Sequence, residues 1–187
     1  MLIEKGTPKW RVSNTLADGL KKIMSNTTIK DNWKPMLEKG NQTEKELIIL
    51  LKQVDIDTHK DKEGNYKWND IVMPTLDRKI EVKSDEKSHY TGNFAVEIRC
   101  KGKLSGLSVT IADYYVMVTK GTYYFFKTNE LKAWIKKHKD DLRIVMGGDD
   151  MNSQMILIEK RQIIFQYFTY ALLKCGANIK GLKYYLK

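Results

Sequence analysis

The chain has 187 residues, of which 42% are hydrophobic and 30% are charged, and its formal net charge is +10. This composition suits a globular protein with one well-buried core and excludes a disordered chain. No apolar run approaches the roughly 20 residues that a membrane span requires, and the N-terminus lacks a signal-peptide pattern. We therefore expect a cytoplasmic protein that has no membrane partner, and a basic charge of this size favours a polyanion such as nucleic acid.

The first forty residues carry no recognisable chemistry. Apolar positions between Leu16 and Met24 recur at helical spacing, and the region from Asn32 to Pro35 has the composition of a turn. We interpret this segment as an accessory layer, a partner surface or a DNA clamp.

A helix is predicted to begin at Thr43, because Glu46 follows three residues later as in a capping box and apolar residues then recur at helical spacing through Val54. Glu44 lies on the inward-facing stripe at the start of this helix. An acid in that position is either a partner for the helix dipole or an additional residue of a metal site.

Residues 68–85 have the pattern of two strands joined by a tight turn at Pro74 to Asp77. The first strand carries Asp70, and the second carries Glu81 and Lys83 on one face, because side chains alternate along a strand. Carboxylate oxygens beside an ammonium group are what a magnesium-dependent phosphodiesterase needs. An ordinary surface hairpin with alternating charges would give the same tripeptide, Glu-Val-Lys.

A third strand is predicted over Phe94 to Cys100, and Glu97 faces the Glu81–Lys83 pair only if the register brings it there. The glycine-containing loop that follows, residues 101–106, offers Lys101 and Lys103 to phosphate groups, or is simply a solvated connection. Residues 113–119 and 122–127 then have the pattern of a hairpin.

The remaining chain is predicted to hold a lysine-rich helix from Thr128 or Asn129 to His138, and short strands at 142–146 and 155–158. Residues 160–175 are apolar and aromatic enough for a helix that is packed on several sides or buried in a dimer.

The order of these elements resembles that of the PD-(D/E)XK nuclease superfamily, which includes many restriction enzymes and Holliday junction resolvases. The resemblance implies an α/β, restriction-endonuclease-like fold with a mixed central β-sheet flanked by helices. It covers about residues 40–130, and the dipeptide Asn69-Asp70 stands where the superfamily has Pro-Asp. We expect a single nuclease domain over 1–187, with an accessory segment at 1–40, a catalytic core at 41–130 and a helix-rich extension at 131–187.

The resemblance also implies roles for particular residues. Asp70, Glu81 and the carbonyl of Val82 would bind Mg²⁺, for which Mn²⁺ would substitute, and Lys83 would assist the nucleophile. The string from Gly40 to Leu47 looks like the opening helix of archaeal-type Holliday junction resolvases, which selects Glu44 rather than Glu46 as a further metal-site residue.

A second resemblance concerns residues 91–114, whose pattern is similar to that of phage and bacterial nuclease-like proteins of the superfamily. It implies that Glu97 supports the site and that Lys103 lies near it. The residues expected to contact DNA are Arg78, Lys101, Lys103 and Ser105.

The expected function is therefore metal-dependent hydrolysis of DNA, by a homodimer that cuts branched DNA, since paired nicks across a junction require two centres. The alternatives are a sequence-specific restriction-like endonuclease, a catalytically inactive DNA-binding module on the same fold, and a structural partner in a larger replication or packaging complex.

Overall fold

The structure is a computed structural model that describes residues 33–61, 69–148 and 151–187. The helical pattern between Leu16 and Met24 lies outside these residues. The strands of the described ranges, β1 to β10 in chain order, are His59–Lys60, Ile71–Met73, Arg78–Ser84, Asn93–Cys100, Lys103–Leu104, Tyr114–Thr119, Thr122–Lys127, Arg143–Gly147, Ser153–Glu159 and Thr169–Leu173. The helices, α1 to α5, are Trp33–Lys52, Ser88–Thr91, Thr128–Lys137, Lys160–Ile163 and Ile179–Tyr185.

The strands form two sheets. Six of them make a mixed sheet in the order β1-β2-β3-β6-β7-β10, and four make an antiparallel sheet in the order β5-β4-β9-β8. Within the six-stranded sheet, β3 and β6 run parallel, whereas the other neighbouring pairs are antiparallel. The predicted α/β class, with a mixed sheet flanked by helices, is confirmed.

The six-stranded sheet is buried on both faces, as strand β6 illustrates. All six residues of β6 are buried, which is typical of a central strand. Its alternate residues Tyr114, Val116 and Val118 join one apolar core with residues of α1 and α5. Tyr115 and Met117 point the other way into a second core, which they share with residues of the four-stranded sheet.

The predicted start of the first long helix is wrong. Helix α1 begins at Trp33, ten residues before Thr43, and Pro35 lies in its first turn, where a helix tolerates proline because the missing N–H has no helical partner there. The hydroxyl of Thr43 donates to the carbonyl of Lys39, so it bonds within the helix and does not cap it. Of the turn predicted from Asn32 to Pro35, residues 33–35 are helical, and Asn32 lies outside the described residues.

The helix predicted over residues 160–175 is also wrong. Only Lys160–Ile163 is helical, and Thr169–Leu173 forms strand β10 at the edge of the six-stranded sheet, paired with β7. Between them, Phe165 is 83% exposed, whereas Phe168 is buried and joins the second core. The C-terminal extension therefore contributes strands as well as helices, and the dimer argument based on an apolar helix loses its basis.

The hairpins were predicted more accurately. Strands β2 and β3 are joined by a single 3-10 turn over Pro74–Leu76, and β6 and β7 are joined through Lys120 and Gly121. Helix α3 ends at Lys137, within one residue of the expected end.

Within residues 33–61, 69–148 and 151–187, no helix combines the length and the hydropathy needed to cross a bilayer.

Candidate active site

The site is built first from Asp70, which directly precedes strand β2. Its main-chain amide donates to the carbonyl of Ile80 over 2.9 Å, and its Oδ2 accepts a 2.7 Å hydrogen bond from the amide of Val82. Because Ile71 is paired with Ile80 across the antiparallel strands, Asp70 lies opposite Glu81. Residues directly opposite each other in such a pair have side chains on the same face.

Glu81 and Lys83 lie two positions apart on β3 and therefore share that face. The ammonium group of Lys83 forms an ion pair with Oε1 of Glu81, and the two side chains are 38% and 7% exposed. The predicted convergence of Asp70, Glu81 and Lys83 is thus a feature of the structure, on the face of the sheet that turns toward the second core.

The electrostatics of this group follow from its burial. Burial raises the pKa of Glu81, the Lys83 ammonium lowers it, and the neighbouring Asp70 and Glu44 carboxylates raise it again, so that the pKa lies above its ordinary value. For Lys83, burial is the largest single influence and lowers the pKa, but Glu81, Tyr115 and Asp70 together raise it by more, so the net change is upward. The ammonium is therefore held in its charged form, while ionisation of Glu81 carries a free-energy cost.

Glu44 approaches the same cluster from helix α1. Its carboxylate lies 2.7 Å from the ammonium of Lys60 on β1, and its pKa is raised by burial and by the charge of Asp70 despite that cation. Glu46, two residues on, belongs elsewhere, because it accepts from the Tyr123 hydroxyl over 3.2 Å and pairs with Lys174. The choice of Glu44 over Glu46 fits the geometry.

The donor set can be compared with what Mg²⁺ requires. No group of three or more His, Cys, Asp or Glu side chains in the described part of the chain has the arrangement of a preformed metal site. Mg²⁺ is usually bound through one or two carboxylates, together with water and substrate phosphates. Asp70 and Glu81 match that smaller set, and Oε2 of Glu81 is buried without a hydrogen-bond partner among the described residues, so the residues fit a hard cation.

Glu97 lies in the other sheet, on strand β4. One of its carboxylate oxygens accepts from the hydroxyl of Ser105, and the other accepts from that of Ser153 over 2.7 Å. The negative charge of Glu97 also helps to raise the pKa of Tyr115, which is paired with Glu81 across β3 and β6. Glu97 therefore holds the loop 101–106 against β4 and β9 and lies behind the cluster of acids, as a neighbour of it.

The residues expected to contact DNA are not brought together. Arg78 lies at the start of β3 on the opposite face from Glu81, where it pairs with Asp113 at 3.7 Å. The side chains of Lys101, in the turn between β4 and β5, and of Lys103, at the start of β5, are exposed. The hydroxyl of Ser105 is occupied by Glu97, so the accessible members of that set are the two lysines and the partly exposed Arg78.

Two residues near the site were missed by sequence reasoning. Lys60 pairs with Glu44, and Tyr115 lies beside Glu81 in the parallel β3–β6 pair. Lys60 lies on β1, in a polar stretch of sequence that has no distinguishing signal. Tyr115 had a weak one, since a hydroxyl group in an otherwise apolar strand needs a partner, but the sequence does not reveal which strand lies beside β6.

No family model, curated protein or solved structure matches the chain.

Proposed function

We propose that the protein is a Mg²⁺-dependent DNA endonuclease of the PD-(D/E)XK type. The observation that supports this most is the grouping of Asp70, Glu81 and Lys83 on one face of two adjacent strands. Two buried carboxylates next to a lysine held in its charged form are a costly arrangement for a surface hairpin to maintain, and they suit phosphodiester hydrolysis.

Mg²⁺ would be held by Asp70, Glu81 and the carbonyl of Val82, with Glu44 close by. When bound, the ion would supply Lewis-acid polarisation of the phosphate and of a coordinated water. Mn²⁺ prefers the same oxygen ligands and should substitute for it.

Lys83 would act on the phosphate directly. As a water oxygen bonds to phosphorus and gives up a proton to the solvent, the bond from phosphorus to one bridging oxygen breaks, and that oxygen takes up a proton from the solvent as it leaves. Negative charge builds up on the non-bridging oxygens in this step, and an ammonium beside them stabilises it. The Lys83 side chain is partly exposed, so it can reach a ligand at the surface of the cluster.

DNA is the proposed substrate because the net charge of +10 favours a polyanion, and exposed Lys101 and Lys103 offer phosphate contacts. Branched DNA cut by a homodimer is the preferred form of this proposal, since two symmetric nicks need two centres. A cytoplasmic location fits such a substrate.

The deciding experiment incubates the protein with a four-way junction, a linear duplex and single-stranded DNA, each with and without Mg²⁺. Mg²⁺-dependent cutting of the junction alone supports the resolvase form, and cutting of the duplex at fixed sequences supports a restriction-like enzyme. A sedimentation measurement on the same sample determines whether the active species is a dimer. Absence of cutting on all three substrates with Mg²⁺ and with Mn²⁺ would refute the nuclease proposal.

A catalytically inactive DNA-binding module is the second candidate. It is favoured by the fact that Oε1 of Glu81 is already paired with Lys83, while Oδ2 of Asp70 accepts from Val82. Such a protein would bind the same DNA, with an affinity that falls steeply with salt and does not depend on Mg²⁺.

A further inference from the structure

The hydroxyl of Tyr115 is an exception among the buried tyrosines of the described ranges. Tyr114 donates to the carbonyl of Tyr185 and Tyr123 donates to Glu46. Tyr115 is completely buried, yet its hydroxyl has no hydrogen-bond partner among the described residues. Buried polar groups in folded proteins nearly always have a partner, either in the protein or in ordered water, so this hydroxyl requires an explanation.

A second atom with the same property belongs to the residue that is paired with Tyr115. Oε2 of Glu81 is also buried and unpaired within the part of the chain that the structure describes. Glu81 and Tyr115 are partners across the parallel β3–β6 pair, so their side chains share a face and their strands are about 4.8 Å apart. The two atoms are complementary, because a phenol donates a hydrogen bond and a carboxylate accepts one, but they do not bond to each other.

Other groups on the same face define the surroundings. Burial raises the pKa of the Tyr115 hydroxyl well above its ordinary range, the Lys83 ammonium lowers it, and the Glu81, Glu97 and Asp70 carboxylates raise it. The phenol is therefore neutral and available as a donor. The phosphate of a DNA chain is too large to reach a completely buried hydroxyl, whereas a single water molecule with two polar partners is a common internal feature of proteins.

We propose that, in the metal-free protein, one water molecule lies between the two residues, accepts a hydrogen bond from the hydroxyl of Tyr115 and donates one to Oε2 of Glu81. We further infer that Tyr115 is a positioning residue for the attacking water, because Glu81, the other partner of this molecule, forms an ion pair with Lys83. The first statement stands on the geometry alone. The second rests on the proposed function.

Diffraction tests the first statement without any activity. Crystals of the metal-free protein should show an ordered water within hydrogen-bond distance of the Tyr115 hydroxyl and of Oε2 of Glu81. Crystals of the metal-free variant Tyr115→Phe should lack this water. A direct hydrogen bond between Tyr115 and Glu81, or no ordered water at this position in the unmodified protein, would overturn the proposal. A thermal melt checks that the variant, which keeps the aromatic ring, is folded.

Single-turnover cleavage tests the second statement. Tyr115→Phe should lower the rate by up to about 10²-fold, the scale of a small misplacement of a reacting group, and leave the Kd for DNA unchanged. Tyr123→Phe is the matched control, since Tyr123 is equally buried but bonds to Glu46 on the other face, and it should cut at the original rate. Equal rates for both variants would show that Tyr115 does not position the water. If the unmodified protein cuts nothing, the proposed function fails and with it this second statement, while diffraction still decides the water site.

Discussion

The amide of Val82 donates a 2.7 Å hydrogen bond to Oδ2 of Asp70, and this bond fixes the Asp70 carboxylate against the strand that carries Glu81 and Lys83. A side chain therefore completes the pairing of β2 with β3 at the point where β2 begins. The same contact that orders the hairpin also orients one of the proposed metal ligands.

Replacing Asp70 with alanine should destabilise the protein by about 1–3 kcal/mol, because the buried amide of Val82 is then left without an acceptor. Asp70→Asn keeps an acceptor oxygen and should cost less than about 1 kcal/mol. Urea unfolding measures both. Asp57→Ala, at an exposed position, should change the unfolding free energy by no more than about 0.5 kcal/mol, and similar values for all three variants would contradict the assigned role of the bond.

The stability of the protein should depend on pH through Glu81. Burial and the nearby Asp70 and Glu44 carboxylates hold the pKa of Glu81 above its ordinary 4.5 in the folded state. The folded state therefore keeps a proton that the unfolded state loses, and the free energy of unfolding falls as the pH rises from about 4.5 through the raised pKa. Glu81→Gln cannot ionise, so its stability advantage over the original protein should grow across that window and then level off.

Thermal melts at a series of pH values measure this difference. Adding Mg²⁺ at neutral pH should raise the Tm of the original protein, because a ligand that binds only the folded state stabilises it, and should leave that of Glu81→Gln nearly unchanged. A variant whose advantage is constant from acid to neutral pH would show that Glu81 ionises normally in the folded protein.

Local patterns were sufficient to predict that Asp70, Glu81 and Lys83 lie together, and long-range pairing was not predictable from them. Alternation along residues 78–84 placed Glu81 and Lys83 on one face, and the turn at Pro74 made Asp70 an adjacent-strand neighbour. The parallel partner of β3 is more than thirty residues away in sequence, and a hydrophobic pattern does not identify it. Tyr115 was missed for that reason.

The C-terminal error has a similar cause. Residues 160–175 are apolar at positions that suit a helix and also suit a strand, and short apolar segments of this kind are ambiguous. The edge of β7 offers a partner to Thr169–Leu173, so tertiary pairing decides in favour of the strand. Glu97 was expected to face the Glu81–Lys83 pair only if the register allowed it, and it neighbours the site from a strand of the second sheet, which local alternation does not reveal.

Lys83→Ala should leave the fold intact, since this side chain is 38% exposed. It should lower the rate of DNA cleavage by about 10²–10³-fold, which is the usual cost of losing one group that stabilises transition-state charge. Single-turnover assays at saturating Mg²⁺ measure the rate. Lys52→Ala, at an exposed position at the end of α1, is the control for a general loss of positive charge. Cleavage at the original rate by Lys83→Ala would show that its role has been assigned wrongly.

Two glutamates on one turn of helix α1 offer a matched pair. Glu44→Gln should reduce cleavage about tenfold or more, because Glu44 is an electrostatic neighbour of Asp70 and Lys83 and would support the metal site as an outer residue does. Glu46→Gln should leave cleavage unchanged and lose only the contacts with Tyr123 and Lys174. Parallel Mg²⁺ titrations of the two variants show whether the defect lies in metal affinity. A larger loss from Glu46→Gln would mean that the resolvase-like string was aligned incorrectly.

Two glycines in the same loop region separate backbone strain from steric conflict. Both have positive φ, +76° at Gly102 and +51° at Gly106, but a Cβ at Gly102 meets no atom within 4 Å, whereas one at Gly106 lies 2.5 Å from the carbonyl oxygen of Glu97. Gly102→Ala should therefore cost about 1–2 kcal/mol for its left-handed backbone alone. Gly106→Ala should cost about 1–3 kcal/mol more, as overpacking does.

Because Gly106 follows Ser105, which is bonded to Glu97, Gly106→Ala should also displace Lys103 and weaken DNA binding at low salt. Urea unfolding and a salt titration of binding test both effects, and equal stability of the two variants would mean that the loop does not pack against Glu97.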